Sequence, residues 1–212
     1  AEGTYVLQLF ADDSDLTATD TMTVQVGNVD TLTGLAGHWT LDETSGSVAN
    51  DASGNANHGT LRNISGNPWV SGQLAGGLLL NGIDDDVAVS VVPELQPSSL
   101  TLSAWVKVDA SLADWGWIAG EGDNYGLFVD RRIEKNNLVF YFYNGSTWVS
   151  AHVTNTLLAD GQWHHVAATF DEATGIIRLY VNTVEVTSKI VGGSIVYARG
   201  DSFHIGSMQG SR

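Results

Sequence analysis

The chain has 212 residues, 43% of them hydrophobic, which is enough for one well-filled core and a fragment of a second domain. Its 24 Asp and Glu against 9 Lys and Arg give a formal charge of −15, which repels polyanions and argues against nucleic acid as a partner. There is no cysteine for a disulfide or a thiolate, and no apolar run reaches the ~18 residues needed for membrane insertion.

Apolar and polar residues alternate at period two along most of the chain, the spacing of half-buried strands, and no stretch shows a helical period. Residues 1–28 carry GTYVLQLFA and ATDTMTVQV around an Asp-rich turn, which predicts a hairpin. A lone hairpin is marginal in water, so this one is expected to end a larger module. Residues 29–36 read as a linker, and a new domain begins near Gly37. There GHWTLDETSG reads as strand and turn, DASGNANHGTL as a Gly/Asn loop, and GGLLLNGIDDDVAVS as an acidic turn entering a strand. LTLSAWVKVD is a strand, ADWGWIAGEGDNYG is loop-like, LVFYFYN is a strand, and GQWHHVAATFDEATGIIRLYVN closes as a hairpin. Short strands with such turns predict an all-β sandwich or barrel.

This succession, over residues 37–206, resembles the laminin G-like, concanavalin A-like family in its bacterial form. The resemblance implies a jelly roll of two curved antiparallel sheets whose members bind glycans or proteins. Residues 3–27 resemble the closing hairpin of immunoglobulin-like domains of the PKD and cadherin-like type, found in strings on exported bacterial proteins. Two positions depart from the laminin G-like pattern: Asp86 stands where an aromatic is usual, and Thr183 where a glycine usually makes the turn after YVN. A further strand is expected after FHIGSMQGSR, so the domain over 37–212 is expected to lack its last strand and to offer an open edge to a neighbouring domain or subunit.

His164 and His165 are adjacent, and neighbouring strand residues point to opposite faces, so the pair is not expected to meet one metal ion. Glu121 and Asp123 match the first half of the E-x-D-x-x-E pattern of retaining β-glucanases, but Gly126 occupies the acid/base position, and hydrolysis then has no proton donor. A lyase-type set drawn from Tyr141, Tyr143, Arg131, Arg132 and His152 has no supporting spacing. No catalytic residue is assigned.

Sugar rings present apolar C–H faces to flat aromatics, while Asn, Asp and Arg bind hydroxyls. The candidate ligand-binding residues are Trp115, Trp117, Tyr125, Tyr143 and Trp148, with Asp114, Asp123 and Asn124 nearby; Trp39, Trp105 and Trp163 read as core. Family members often hold one structural calcium near loops like DASGNANHG and NGIDDDV, so the resemblance points to Asp51, Asn55, Asp84 and Asp85 as Ca2+ ligands. The expected protein is a non-catalytic, extracellular or surface-anchored bacterial binder of polysaccharide or surface glycan. The alternative is a structural or protein-binding adhesin domain.

Overall fold

The computed structural model describes residues 3–12, 17–26, 34–110, 115–132, 137–154, 158–199 and 202–207. The chain divides into two compact units, Ala1–Leu35 and Ala36–Arg212. In the first, strands β1 (Gly3–Asp12) and β2 (Thr17–Val26) pair antiparallel, with Gly3 opposite Val26 and Asp12 opposite Thr17.

The second unit runs through β3 (Val48–Ala49), β4 (Gly59–Arg62), β5 (Trp69–Ser71), β6 (Gly76–Leu78), β7 (Asp86–Val89) and β8 (Leu100–Lys107). It continues through β9 (Trp115–Glu121), β10 (Tyr125–Asp130), β11 (Asn137–Tyr143), β12 (Trp148–Val153), β13 (Trp163–Asp171), β14 (Ile176–Val181), β15 (Val184–Ile190) and β16 (Phe203–Ile205). Among the described residues, eight strands form one sheet in the order β12-β11-β10-β9-β16-β7-β4-β3, and four form another in the order β15-β14-β13-β8. Every pairing is antiparallel, as in a concanavalin A-like sandwich. β16 lies inside the larger sheet, between β9 and β7. No helix among the described residues is long and apolar enough to cross a membrane.

Period-two alternation decides which residues meet between the sheets. β10 and β11 send Leu127, Val129, Leu138, Phe140 and Phe142 inward, and β13 and β14 answer with Val166, Ala168, Phe170, Ile177 and Leu179. Phe142 and Phe170 close the gap with ring centroids 4.4 Å apart. Burying each of the larger side chains among them stabilises the fold by about 1.5–3 kcal/mol, so this stack holds the two layers in register.

Two expectations need correcting. The stretch around Trp115 to Tyr125 is a strand pair, β9 and β10, joined by the turn at Gly122–Asn124. Its alternation is hidden because both faces are covered and because the register slips by one residue beside Ile118, which enters the core. Trp105 is not a core residue: β8 points it outward and leaves it 40% exposed.

The departure at Asp86 is resolved by two residues distant in sequence. Asp86 is fully buried; Arg62 Nε and Nη2 donate to its two carboxylate oxygens at 3.0 and 2.5 Å, and His204 Nδ1 lies 2.7 Å from Oδ2. Burial alone would raise its pKa, but the bonds from His204 and Arg62 outweigh that and hold it below its ordinary value. A hydrogen-bonded trio therefore ties β4, β7 and β16 together where an aromatic ring would have packed.

Candidate functional site: an aromatic face on the larger sheet

The outer face of β9 to β12 carries most of the aromatics singled out in the sequence. Gly120 on β9 and Gly126 on β10 sit opposite each other and form a seat for the Trp117 indole; a Cβ at Gly126 would run into Trp117 Cη2. Trp117 stacks on Phe128 at 6.3 Å and meets Tyr141 edge-on at 6.1 Å, and it is only 6% exposed. It therefore presents no face to a ligand. Tyr125, one residue before Gly126, points the other way into the core, where it is 2% exposed and its hydroxyl donates to Leu95 O at 2.7 Å. Burial pushes its phenol pKa well up.

Trp115 is half-buried at the far end of this row, edge-on to Trp117 and Phe128, with the Arg132 guanidinium 5.9 Å from its ring. Asp130 binds Arg132 at 2.9 Å, and that bond, acting against burial, holds its carboxyl below the ordinary range. Trp115 pairs with Asp130 and Asp130 with Asn137, whereas Tyr143 lies at the opposite end of β11. At ~3.4 Å per residue the two ends are roughly 20 Å apart, so Trp115 does not share a subsite with Tyr143. Asp114 lies outside the described residues.

Tyr143 and Trp148 do come together. They are opposite residues of β11 and β12, with ring centroids 5.4 Å apart. Trp148 is 49% exposed, and its indole N–H donates to Asp123 O at 3.0 Å, which fixes the ring while leaving surface open. The Tyr143 hydroxyl donates to Gly145 O at 2.8 Å. The Arg199 guanidinium lies 4.7 Å from both rings and 3.5 Å from the Asp123 carboxylate. Nothing in the sequence around Arg199 marks it; only the fold brings it to Trp148. The result is an exposed indole flanked by a phenol, a cation and a carboxylate.

The glucanase-like pair does not assemble. Glu121 is fully buried, where its Oε1 accepts from Gln96 Nε2 at 2.7 Å and Asn124 Nδ2 at 3.0 Å. Asp123 is at the surface with Arg199, and the position of the missing acid is filled by Trp117 lying over Gly126. His164 and His165 also separate. His165 packs edge-on against Trp105 at 5.4 Å, while His164 lies 3.1 Å from both Asp160 Oδ1 and Asn182 Nδ2.

The four residues read as calcium ligands do not fit one cation. The loop containing Asp51 and Asn55 leads into Gly59, which pairs with Val89; Asp84 and Asp85 lead into Asp86, which pairs with Arg62. The two loops thus lie at opposite ends of β4, about 10 Å apart along the strand. Each is closed by its own bonds. Asp51 accepts from the backbone N–H groups of His38, Ser53 and Asn57 at 2.8–2.9 Å and from the Ser53 hydroxyl at 2.7 Å. Against the opposing effect of burial, these bonds hold its pKa below the ordinary value. Asn55 Nδ2 donates to Ala36 O, Asp84 Oδ1 accepts from Asn81 Nδ2, and Asp85 Oδ2 accepts from Asn81 N–H. No cluster of three or more His, Asp or Glu among the described residues is arranged to hold a metal.

Fold and surface together define an antiparallel two-sheet sandwich that displays aromatic side chains on its outer strands. A family model described as the concanavalin A-like lectin/glucanases superfamily, in its laminin G subgroup, matches residues 81–212, and the chain belongs to that superfamily. Domain 4 of AbnA, a GH43 extracellular arabinanase from Geobacillus stearothermophilus solved in complex with arabinotriose, superposes with a TM-score of 0.52 at 21% identity, over 73% of this chain and 76% of that one. A variant of the protein HCR/D superposes with a TM-score of 0.56 at 14% identity, over 84% of this chain and 44% of that one. Both likenesses show a shared fold. No curated protein matches the chain.

Proposed function

We propose that the second unit is a non-catalytic carbohydrate-binding module of a larger exported protein, and that it holds a polysaccharide or surface glycan at the Tyr143–Trp148 patch. The observation carrying this reading is Trp148, half exposed, pinned through its indole N–H, and flanked by Tyr143, Arg199 and Asp123. An indole offers a sugar ring a flat apolar partner, while a guanidinium and a carboxylate donate to and accept from its hydroxyls. The ring is already fixed, so little side-chain entropy is lost on binding. The fold-level likeness to a domain solved with arabinotriose supports a saccharide as the ligand class. Burial of Glu121 and the Trp117 seat on Gly126 support binding without hydrolysis. Attachment to a secreted enzyme or a cell surface would make tandem copies effective through avidity.

A glycan-array screen of the whole chain, followed by reducing-sugar and unsaturated-product assays on each hit, tests this. Binding without product is the expected result. Product release would overturn the non-catalytic reading, and silence across the array would overturn glycan binding.

A further inference from the structure

A second patch lies on the outer face of the smaller sheet, the far side of the sandwich from Trp148. Trp105 on β8 and His165 on β13 are directly opposite each other, with Trp163 two residues further along β13. Their neighbours Ala104, Val106 and Val166 pack into the core, so alternation holds Trp105 out to solvent. With Gln73, Asn182 and Thr183, the two indoles and the imidazole line a single depression. Gln73 comes from the turn between β5 and β6, so four separate segments build this place.

The wall formed by the β14–β15 turn is held in an uncommon conformation. Asn182 and Thr183 both have left-handed backbone, with φ of 48° and 71°. For a β-branched residue such as Thr183 that is a costly state, the kind that persists only where the surroundings impose it. The two-residue loop between the paired Val181 and Val184 imposes it here, and Asn182 anchors that loop to β13. The Asn182 backbone N–H donates to His165 O at 2.8 Å, its Oδ1 accepts from His165 N–H at 3.0 Å, and its Nδ2 is 3.1 Å from His164 Nδ1. Because His164 Nδ1 accepts from that amide, the ring proton sits on Nε2, which donates to Asp160 Oδ1 at 3.1 Å. His164 is thus a brace for the wall, and His165 is part of the floor. Glycine would make this turn without strain, but it would supply no hydroxyl at the rim.

The lining offers two aromatic faces, two amides, a hydroxyl and an imidazole, and no carboxylate, guanidinium or ammonium. That chemistry suits an uncharged ligand rich in hydroxyls, with one apolar face. We propose that this depression is a second binding site, which seats one neutral sugar residue with its C–H face on Trp105 and its hydroxyls on Gln73 and Thr183. The site is independent of the Tyr143–Trp148 assignment. With both occupied, one domain engages two polysaccharide strands from opposite faces.

The test follows the seven tryptophan indole N–H signals of the 15N-labelled chain by NMR. Single Trp105→Ala, Trp163→Ala and Trp148→Ala variants assign the relevant peaks, and arabinotriose, cellotetraose and xylotetraose are titrated to millimolar concentration. At least one probe is expected to move the Trp105 and Trp163 signals, in the wild type and in the Trp148→Ala variant alike. Gln73→Ala, which removes an exposed turn side chain and leaves the fold intact, is expected to weaken that response about tenfold, the equivalent of losing one good polar contact. A shift confined to Trp148 would overturn this second site and leave the first standing; a shift confined to Trp105 and Trp163 would do the reverse. Failure of all three probes to move Trp105, or sedimentation showing a dimer that Trp105→Ala abolishes, would also overturn it, the latter in favour of a second copy of the chain as occupant.

Discussion

The two outer faces of the sandwich use tryptophan in opposite ways. On the larger sheet, Trp117 lies across two facing glycines and is sealed by Phe128 and Tyr141. On the smaller sheet, Trp105 faces His165 across the ladder with no glycine beneath it and stays 40% exposed. Both point away from the core, so strand parity alone predicts the same fate for each. What separates them is the surface beside the ring: where glycines of its own and the neighbouring strand leave room, the ring lies flat and becomes structure, and where side chains fill that room the ring stands out as a surface. Trp148 belongs with Trp105, since its ring stands beside Tyr143 across the ladder and stays 49% exposed.

The glycine seat is the most sensitive point of this difference. Gly126→Glu would restore the carboxylate of the glucanase pattern, but the new side chain enters the space of Trp117, which Phe128 and Tyr141 hold in place. Overpacking of this kind costs about 1–3 kcal/mol for small insertions and more for large ones. The variant should lose its cooperative thermal transition, as followed by circular dichroism, and should hydrolyse no glycan.

Next in size is the trio around Asp86. Asp86→Ala leaves Arg62 and His204 without their shared carboxylate, and such breaks cost roughly 3 kcal/mol. In urea the unfolding midpoint should fall accordingly. The same group sets an acid limit. The folded pKa of Asp86 is lowered from 3.8, so its stabilisation is complete above that value and is lost as pH falls through the lower folded value. Thermal stability should therefore drop below about pH 4, and Asp86→Asn should flatten that drop.

Smaller again is Trp148→Ala. The ring is half exposed, so its removal should cost under about 1 kcal/mol and shift Tm by no more than about 4 °C. If stability instead fell as far as in Asp86→Ala, Trp148 would be a structural ring like Trp117. The smallest effect concerns calcium. Because Asp51 and the Asn81–Asp85 turn are closed by their own hydrogen bonds, treatment with a chelator should leave Tm unchanged; a loss of several degrees would place a cation in one of those loops.

How much of this was legible in the sequence depended on distance along the chain. β8, β11, β13 and β14 announce themselves by alternation, because each has one face in the core and one outside. β9 and β10 do not, since their outer face is also covered and their glycines, which read as loop residues, are there to receive Trp117. Of the five aromatics chosen for the site, Tyr143 and Trp148 meet because a hairpin of short span brings them together. Tyr125 and Trp117 look like loop residues in the sequence because of the glycines around them, whereas the strand pair buries both. Arg199, which lies against both rings from more than fifty positions away, and His204, which completes the Asp86 trio from more than a hundred, are contributed from far along the chain, and no local pattern marks either. Thr183 shows the opposite case: a departure visible in the sequence whose backbone, once seen, explains why it matters.

Glycan binding at Trp148 is tested most directly by a calorimetric titration of the whole chain with the strongest hit from the glycan array, comparing wild type with Trp148→Ala. Affinity at the Tyr143–Trp148 patch should fall by at least about tenfold while the variant keeps its fold. Full affinity in a folded Trp148→Ala protein would contradict binding there.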